Sequence, residues 1–169
     1  MKKHFAKYKG RGVAAPAIPN GYHILWSWIG ACLAIGMISW LSNEANAPFF
    51  MVPFGASCVL VFGLPNSPLA QPRSLVFGHL LSAIIGLIVM KVFGLEWWAM
   101  GIAVASAIAL MQMTRTLHAP AGATPLVVML ENADWSFLFT PVLSGTLVLL
   151  LIGLVANNLS KERSYPDYW

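Results

Sequence analysis

The stretch PFGAS at residues 53–57 recurs as PAGAT at residues 120–124, and both copies fit the pattern Pro-x-Gly-Ala-Ser/Thr. Each copy opens an apolar segment, 53–64 or 120–130, that is too short to cross a membrane, because about 11–12 helical residues span only roughly 17 Å. A proline restricts the residue before it and suits the first turn of a helix. We therefore expect two half-helices, each preceded by non-helical chain.

The composition places these half-helices in an integral membrane protein. Hydrophobic residues make up 58% of the 169 residues and charged residues only 9%, whereas a soluble domain carries about 25% charged residues. The mean hydropathy is +0.71. Four longer apolar segments, each of roughly 17–20 residues, can span a hydrocarbon core of about 30 Å: 22–41, 75–92, 97–113 and 137–156. We predict an all-α membrane protein with four full transmembrane helices and two half-helices.

The order of the segments repeats, since a long segment, a half-helix and another long segment occur twice. Tryptophans lead the first long segment of each half, and a Leu-Ser pair occurs in the last: Trp26, Trp28, Trp97, Trp98, Leu81-Ser82 and Leu143-Ser144. The pattern predicts a transmembrane domain at 22–157 that contains two repeats, about 22–94 and about 95–157. A basic N-terminal tail at 1–21 and a C-terminal tail at 158–169 flank it.

The positive charges favour a topology in which all six segments cross the membrane. Of the ten Lys and Arg residues, five lie in the first eleven positions and indicate a cytoplasmic tail. If every segment crosses, all other cations except Lys91 fall on the side of this tail. If the short segments dip and return instead, Arg73 and Arg115 move to the opposite side. Six crossings place both termini in the cytoplasm and make the repeats inverted.

Inverted repeats would turn the N-termini of the two half-helices toward each other near the membrane midplane. The first N–H groups of a helix lack intrahelical partners and lie at the positive end of its dipole, and glycine allows a ligand to approach the backbone. We predict that the two helix ends bind a small anion, with seven residues in contact: Gly55, Ala56, Ser57, Gly122, Ala123, Thr124 and His118. The alternative is that the motif only packs two helix ends together.

Four ordered motifs resemble the HPP family, a family of small integral membrane proteins named for a His-Pro-Pro tripeptide. They are PFGAS at 53–57, PLAQPR at 68–73, GHLLSA at 78–83 and TRTLHAPAGAT at 114–124, and the resemblance covers about residues 20–157. Ala119 stands where the first proline of the tripeptide is expected, and Ser74 and Phe77 stand where Asn and Gly are expected. The resemblance implies four transmembrane segments. Because members in cyanobacteria and plastids are associated with nitrite transport, it also implies nitrite as a candidate substrate.

Further polar residues are candidates for a vestibule or for proton coupling: Arg73, Arg115, His79 and Gln71. His79 lies inside a long segment, where an ionisable residue indicates function by default, although a hydrogen bond between helices is an alternative. Arg73 and Arg115 would attract anions, or would only orient the chain in the bilayer. No acid lies within a long segment, so His118 and His79 are the side chains suited to carry a proton. For His118 the alternative is a neutral ring that caps a carbonyl.

The predicted function is a transporter or channel for a small monovalent anion, nitrite by resemblance, in a bacterial inner membrane. Protons, membrane lipid and a second copy of the chain are further expected partners. The alternative is a non-transporting membrane module that senses, anchors or assembles with a partner. No catalytic signature occurs, Cys32 and Cys58 match no metal or redox spacing, and the cations form no basic face. We therefore expect no enzyme activity, cofactor, metal or nucleic acid.

Overall fold

The structure is a computed structural model that describes residues 13–169. Over this range the chain is helical without strands. It forms a short 3₁₀ turn at Pro68–Ala70 and six longer helices: α1 Gly21–Glu44, α2 Pro53–Gly63, α3 Pro72–Phe93, α4 Trp97–Met113, α5 Ala119–Leu130 and α6 Trp135–Leu159. Of the basic tail predicted at 1–21, residues 1–12 lie outside the described range. Residues 13–20 are exposed and have no regular structure.

Three of the described helices are long and apolar enough to cross a membrane. They are α1, α3 and α6, with hydropathies of 1.8, 2.2 and 2.3 over 18 residues. The helix α4 is also apolar but has only 17 residues, and α2 and α5 are shorter. The predicted all-helical architecture is therefore confirmed, with three helices that can cross a membrane by length and composition. A fourth span at α4 and the inverted arrangement of the repeats remain predictions.

Both half-helices begin at the prolines of the repeated motif. The α-helical part of α2 starts at Pro53, and α5 starts at Ala119 with Pro120 in its first turn. Each half-helix changes pitch along its length, because α2 ends in a wide π-turn at Val59–Gly63 and α5 opens with a 3₁₀ turn at Ala119–Ala123. The chain just before each one is not helical, and His118 is extended with φ −131° and ψ 108°.

Helix α3 is the central helix, and it packs against α4, α5 and α6. Two of its glycines allow the second half of the chain to come unusually close. A Cβ atom at Gly86 would lie 2.8 Å from Cα of Pro125, and one at Gly78 would lie 2.8 Å from Cβ of His118. These distances are shorter than any ordinary carbon contact. The two glycines therefore position α5, and the extended segment before it, against α3.

The C-terminal end of α2 is completed by side chains from other helices. The last carbonyls of a helix lack intrahelical donors and need other partners when they are buried. Asn157 Nδ2 donates to the carbonyl of Val61 over 3.0 Å, Ser27 Oγ donates to that of Phe62 over 2.7 Å, and His23 Nε2 lies 3.1 Å from the carbonyl of residue 63. The last three carbonyls of this short helix therefore have partners.

The segment that follows α6 folds back onto the helices. Arg163 donates to Ser27 Oγ over 2.8 Å and to Asn157 Oδ1 over 3.0 Å, which ties α1 to α6. Tyr165 is buried, and its hydroxyl donates to the carbonyl of Ala70 over 2.8 Å. The predicted C-terminal tail is thus a packed part of the fold.

Helix α6 has an irregular start that the apolar pattern did not indicate. It opens with a 3₁₀ turn at Trp135–Leu138 and a wide turn at Phe139–Leu143, where Thr140 has φ −138° and ψ 114°. Regular α-helix follows over Ser144–Leu159. Pro141 explains the break, because proline has no N–H to donate and its ring clashes with the preceding turn.

Candidate functional site

The two half-helices meet at their N-terminal ends. The first turns of α2 contact the first turns of α5, and a cleft of about 520 Å³ lies between them. Apolar residues from both half-helices line the cleft: Val52, Pro53, Ala56, Val59, Leu60, Ala119, Pro120 and Ala123. The two copies of the Pro-x-Gly-Ala-Ser/Thr motif therefore face a common space.

Beside this cleft, four side chains form a continuous hydrogen-bonded series, which we name the buried polar chain. Ser57 Oγ lies 2.9 Å from His118 Nε2 and 3.0 Å from His79 Nε2. His79 Nδ1 lies 2.8 Å from Thr124 Oγ1, and His118 Nδ1 lies 2.7 Å from the carbonyl oxygen of Leu69. All four side chains are 0% exposed. Each ring nitrogen of the two histidines therefore has a partner.

The carbonyl at one end of the buried polar chain fixes the tautomers of both histidines when their rings are neutral. A carbonyl only accepts, so Nδ1 of His118 carries a proton and donates to Leu69. His118 Nε2 then accepts from the hydroxyl of Ser57, and the oxygen of Ser57 accepts from Nε2–H of His79. The hydroxyl of Thr124 in turn donates to His79 Nδ1. Every bond thus points the same way, from Thr124 toward Leu69.

The four side chains come from four different parts of the fold. Ser57 lies on α2, His79 on α3, His118 on the extended segment before α5, and Thr124 on α5. Ser57 and Thr124 occupy the same position of the two motif copies, and both contact His79. The close approach at Gly78 brings His118 against α3, so that the centroids of the two imidazoles are 5.0 Å apart.

The surroundings of the buried polar chain contain few charges. Phe54 packs edge-to-face on His79, with ring centroids 5.4 Å apart. Helices α2, α4, α5 and α6 carry no Asp, Glu, Lys or Arg, and α3 carries only Arg73 and Lys91, near its two ends. Within the described helices, no carboxylate therefore opposes an anion at this point.

Some of the backbone donors at the predicted anion site already have partners in the chain. The N–H of Gly55 donates to the carbonyl of Val52 over 3.1 Å, and the N–H of Thr124 donates to the carbonyl of Ala121. A Cβ atom added at Gly55 or Gly122 would meet nothing within 4 Å. Both glycines therefore border open space.

The other predicted residues lie away from the cleft, at the N-terminal end of α3. Arg73 Nη2 donates to the carbonyl of Thr114 over 3.0 Å, next to Arg115, and both arginines are exposed. Arg73 borders a second cavity of about 700 Å³, which is lined mainly by the apolar face of α3. Gln71 is buried, and its amide binds backbone groups of residues 65, 67 and 167. Gln71 thus holds a loop in place and does not reach the buried polar chain.

The sequence motifs do not point to two groups that hold the site and its half-helix in place, the carbonyl of Leu69 and the side chain of Asn157. The carbonyl of Leu69, which anchors His118, has no signature in the sequence, because every residue has a carbonyl. Asn157, which completes the end of α2, is detectable as an amide at the end of an apolar segment, where a polar side chain indicates a hydrogen bond between helices.

Comparisons with known proteins agree with the motif resemblance. A family model described as "HPP, transmembrane region" matches residues 16–166. Two transmembrane proteins of Dictyostelium discoideum are 39% and 38% identical to the chain, and each alignment covers 99% of it. The chain spans 63% and 57% of the length of these two relatives. No solved structure matches the chain.

Proposed function

The chain belongs to the HPP transmembrane family, and we propose that it transports a small monovalent anion past the meeting point of its two half-helices. The buried polar chain is the observation that carries this function, since its four side chains are 0% exposed where two broken helices meet. Buried ionisable residues in membrane segments mark paths for ions and protons. Broken helices in corresponding halves of a membrane protein mark transport sites.

The chemistry of the site favours an anion over a cation. The hydroxyls of Ser57 and Thr124 and the N–H groups of the imidazoles are donors, and the neighbouring helices offer no carboxylate to a cation. The N–H groups of Gly55 and Thr124 are engaged with local carbonyls, so an anion shares them in three-centre bonds. The side-chain donors are also engaged, within the buried polar chain, so an anion shares their hydrogen bonds in the same way.

Nitrite is the proposed substrate by family resemblance, and the names of the Dictyostelium relatives state no substrate. In the proposed path, the exposed Arg73 and Arg115 attract the anion on the cytoplasmic side. It then reaches the cleft between the half-helices. Both termini lie in the cytoplasm, and the bacterial inner membrane is the proposed location.

Anion flux into liposomes tests the transport function. Purified protein is reconstituted, and the uptake of nitrite, nitrate, formate and chloride is measured at neutral and acidic pH. Protein-free liposomes at the same pH give the leak of nitrous acid, which is subtracted. We expect flux that depends on the protein and falls in Thr124→Val but not in Thr146→Val. Both threonines are fully buried, but the hydroxyl of Thr146 only contacts carbonyls of its own helix.

The absence of protein-dependent flux for all four anions at both pH values would overturn the transport function. The alternative would then be a membrane module that senses, anchors or assembles with a partner. Equal loss of flux in the two threonine variants would place the path away from the buried polar chain.

A further inference from the structure

We propose that Ser57 passes a proton between His79 and His118, and that these three side chains together form a binding site for a single proton. The two imidazoles do not contact each other through their nitrogens. Both present Nε2 to the same hydroxyl, at 3.0 and 2.9 Å. The link to anion movement rests on the proposed function, but the proton site stands on the hydrogen-bond geometry and is testable without transport.

The hydroxyl of Ser57 has a third partner, which gives its proton an alternative position. The carbonyl of Pro53, one turn earlier in α2, lies 3.2 Å from Ser57 Oγ. With both rings neutral, the hydroxyl donates to His118, because His118 Nε2 has no other donor among residues 13–169. When His118 Nε2 gains a proton while His79 keeps its own on Nε2, the hydroxyl of Ser57 turns to Pro53 and its oxygen accepts from both rings.

One extra proton therefore fits on either ring without the loss of a hydrogen bond. On His79, the two N–H groups donate to Ser57 and Thr124, and the hydroxyl of Thr124 turns its proton away. On His118, the two N–H groups donate to Ser57 and to the carbonyl of Leu69. No group exceeds its donor or acceptor capacity in either state, but with the proton on His79 the hydroxyl proton of the buried Thr124 loses its acceptor.

The transfer step between the two rings is balanced. It starts from a protonated His79 and a neutral His118. The N–H bond at His79 Nε2 breaks as an O–H bond forms at Ser57, and the original O–H bond of Ser57 breaks as an N–H bond forms at His118 Nε2. His79 is left neutral with its proton on Nδ1, and His118 holds the charge. The new O–H of Ser57 then donates to His79 Nε2, while the oxygen of Ser57 accepts from His118 Nε2–H. One proton has moved, and no other reactant is needed.

The site holds one proton and not two, because the ring centroids are 5.0 Å apart and two cations at that distance in a low dielectric repel strongly. The neighbouring elements place no counter-charge against the rings. Helix α1, which packs on α2, carries Tyr22, His23 and Cys32 and, exposed at its C-terminal end, Glu44. Cys58 lies on α2, Arg73 and Lys91 lie near the ends of α3, Arg115 precedes α5, and Tyr165 lies near Leu69 on the segment after α6. Helices α4, α5 and α6 contain no titratable side chain.

A single buried cation without a carboxylate partner favours the binding of an anion beside it. By linkage, the proton then strengthens anion binding by the same factor by which the anion strengthens proton binding. The proton site therefore predicts that one proton accompanies each monovalent anion, and that the combined movement carries no net charge.

Nitrogen-15 NMR of histidine-labelled protein in lipid nanodiscs tests the proton site directly. The signals are assigned with His79→Gln and His118→Gln. At pH 8 we expect the Nδ1–H tautomer for His118 and the Nε2–H tautomer for His79. On acidification, the two rings should take up one proton between them and titrate together. The opposite tautomers, or the uptake of two protons in that joint step, would overturn the site.

Variants of Ser57 test whether the joint titration of His79 and His118 requires the hydroxyl of Ser57 or only the short distance between the two rings. In Ser57→Ala, the joint titration should disappear and each ring should titrate by itself, whereas Ser57→Thr should restore it. Ser82→Ala is the matched control, because Ser82 is also fully buried and, within the described part of the chain, its hydroxyl donates only to Met111 Sδ, at 3.6 Å. Joint titration that survives in Ser57→Ala would refute the relay. If Ser57→Ala does not fold, Ser57→Cys is measured instead, because its larger thiol is a weak donor. Loss of the joint titration in Ser57→Cys supports the relay, and its survival refutes the relay.

The coupling is measured separately in liposomes that carry a proton-sensitive dye and respond to nitrite. We expect one proton per anion and no net current. Nitrite flux with a net current and no proton movement would refute the coupling while the transport function stands. The absence of any flux, with the joint titration intact, would refute the transport function and leave the proton site in place.

Discussion

Alanine at Gly78 should disrupt the candidate site without replacing any of its polar side chains. In the structure, a Cβ atom at this position would lie 2.8 Å from Cβ of His118 and 2.9 Å from the carbonyl oxygen of Thr116. Carbon atoms in ordinary contact are separated by about 3.5 Å or more. The extended segment must therefore move away from α3 by about 0.7 Å, and it carries His118 with it.

The displacement is large enough to break one link of the buried polar chain. If it acts along the bond, the distance of 2.9 Å between His118 Nε2 and Ser57 Oγ grows to about 3.6 Å, beyond hydrogen-bond range. Overpacking costs about 1–3 kcal/mol, and a hydrogen bond between membrane helices contributes on average about 0.6 kcal/mol. The helix propensity of alanine offsets at most about 1 kcal/mol. The net loss of stability is about 1–3 kcal/mol, or a decrease in Tm of roughly 2–12 °C.

Thermal unfolding in nanodiscs, histidine NMR and nitrite flux measure the three parts of this effect. Gly101→Ala is the matched control, since a Cβ atom there meets nothing within 4 Å, and it should leave Tm unchanged or raise it slightly. We expect Gly78→Ala to lower Tm, to change the His118 signals and to reduce flux. Wild-type Tm together with unchanged His118 signals would show that the segment is not held against α3 as the structure has it.

Three further changes have defined outcomes. Gly55→Val should leave the protein folded, because a side chain at this position borders open space. It should abolish nitrite flux, because the side chain blocks the approach of the anion to the backbone N–H groups. Normal flux would indicate that the motif only packs the two helix ends together. Single cysteines at positions 73 and 131, in a background without Cys32 and Cys58, should react from opposite sides of the membrane, whereas labelling of both from outside would indicate re-entrant segments. Burial raises the pKa of Tyr165 above its unfolded value. The stabilising contribution of the neutral hydroxyl is therefore complete below about pH 10 and is lost as pH rises further. Tyr165→Phe should remove this part of the alkaline loss of Tm, and an alkaline Tm profile identical to that of the wild type would contradict the prediction.

The half-helices were predictable from the sequence because their signals are local. A proline sets where each one starts, and the length of the following apolar run sets where it ends. The irregular start of α6 was missed for a related reason. Pro141 lies within an apolar run, and hydropathy over that run does not report the broken backbone around Thr140. The fourth span predicted at 97–113 depends on a helix of 17 residues, which falls just short of the length that identifies the other three.

The connections within the site were not predictable, because they depend on how distant segments pack. The sequence predicts Ser57, His118 and Thr124 as parts of one anion site and His79 as a separate candidate for proton coupling, but it does not predict the hydrogen bonds that join the four. Their joining requires the close approach at Gly78, which is a property of the tertiary structure. The C-terminal segment is a similar case, since the sequence of residues 160–169 does not reveal that Tyr165 reaches the carbonyl of Ala70.

The two motif copies place a hydroxyl at the same position of each half-helix, but the histidines break the symmetry between the halves. His118 stands two residues before the second motif, and the corresponding position before the first motif holds Met51. A pair of equivalent helix ends has no preferred direction for a proton. A chain that begins at the hydroxyl of Thr124 and ends at a carbonyl does have one, because the carbonyl accepts but holds no proton. In the proposed relay, a proton therefore enters from the side of Thr124 and is stored on His118, next to the cleft where the anion is expected.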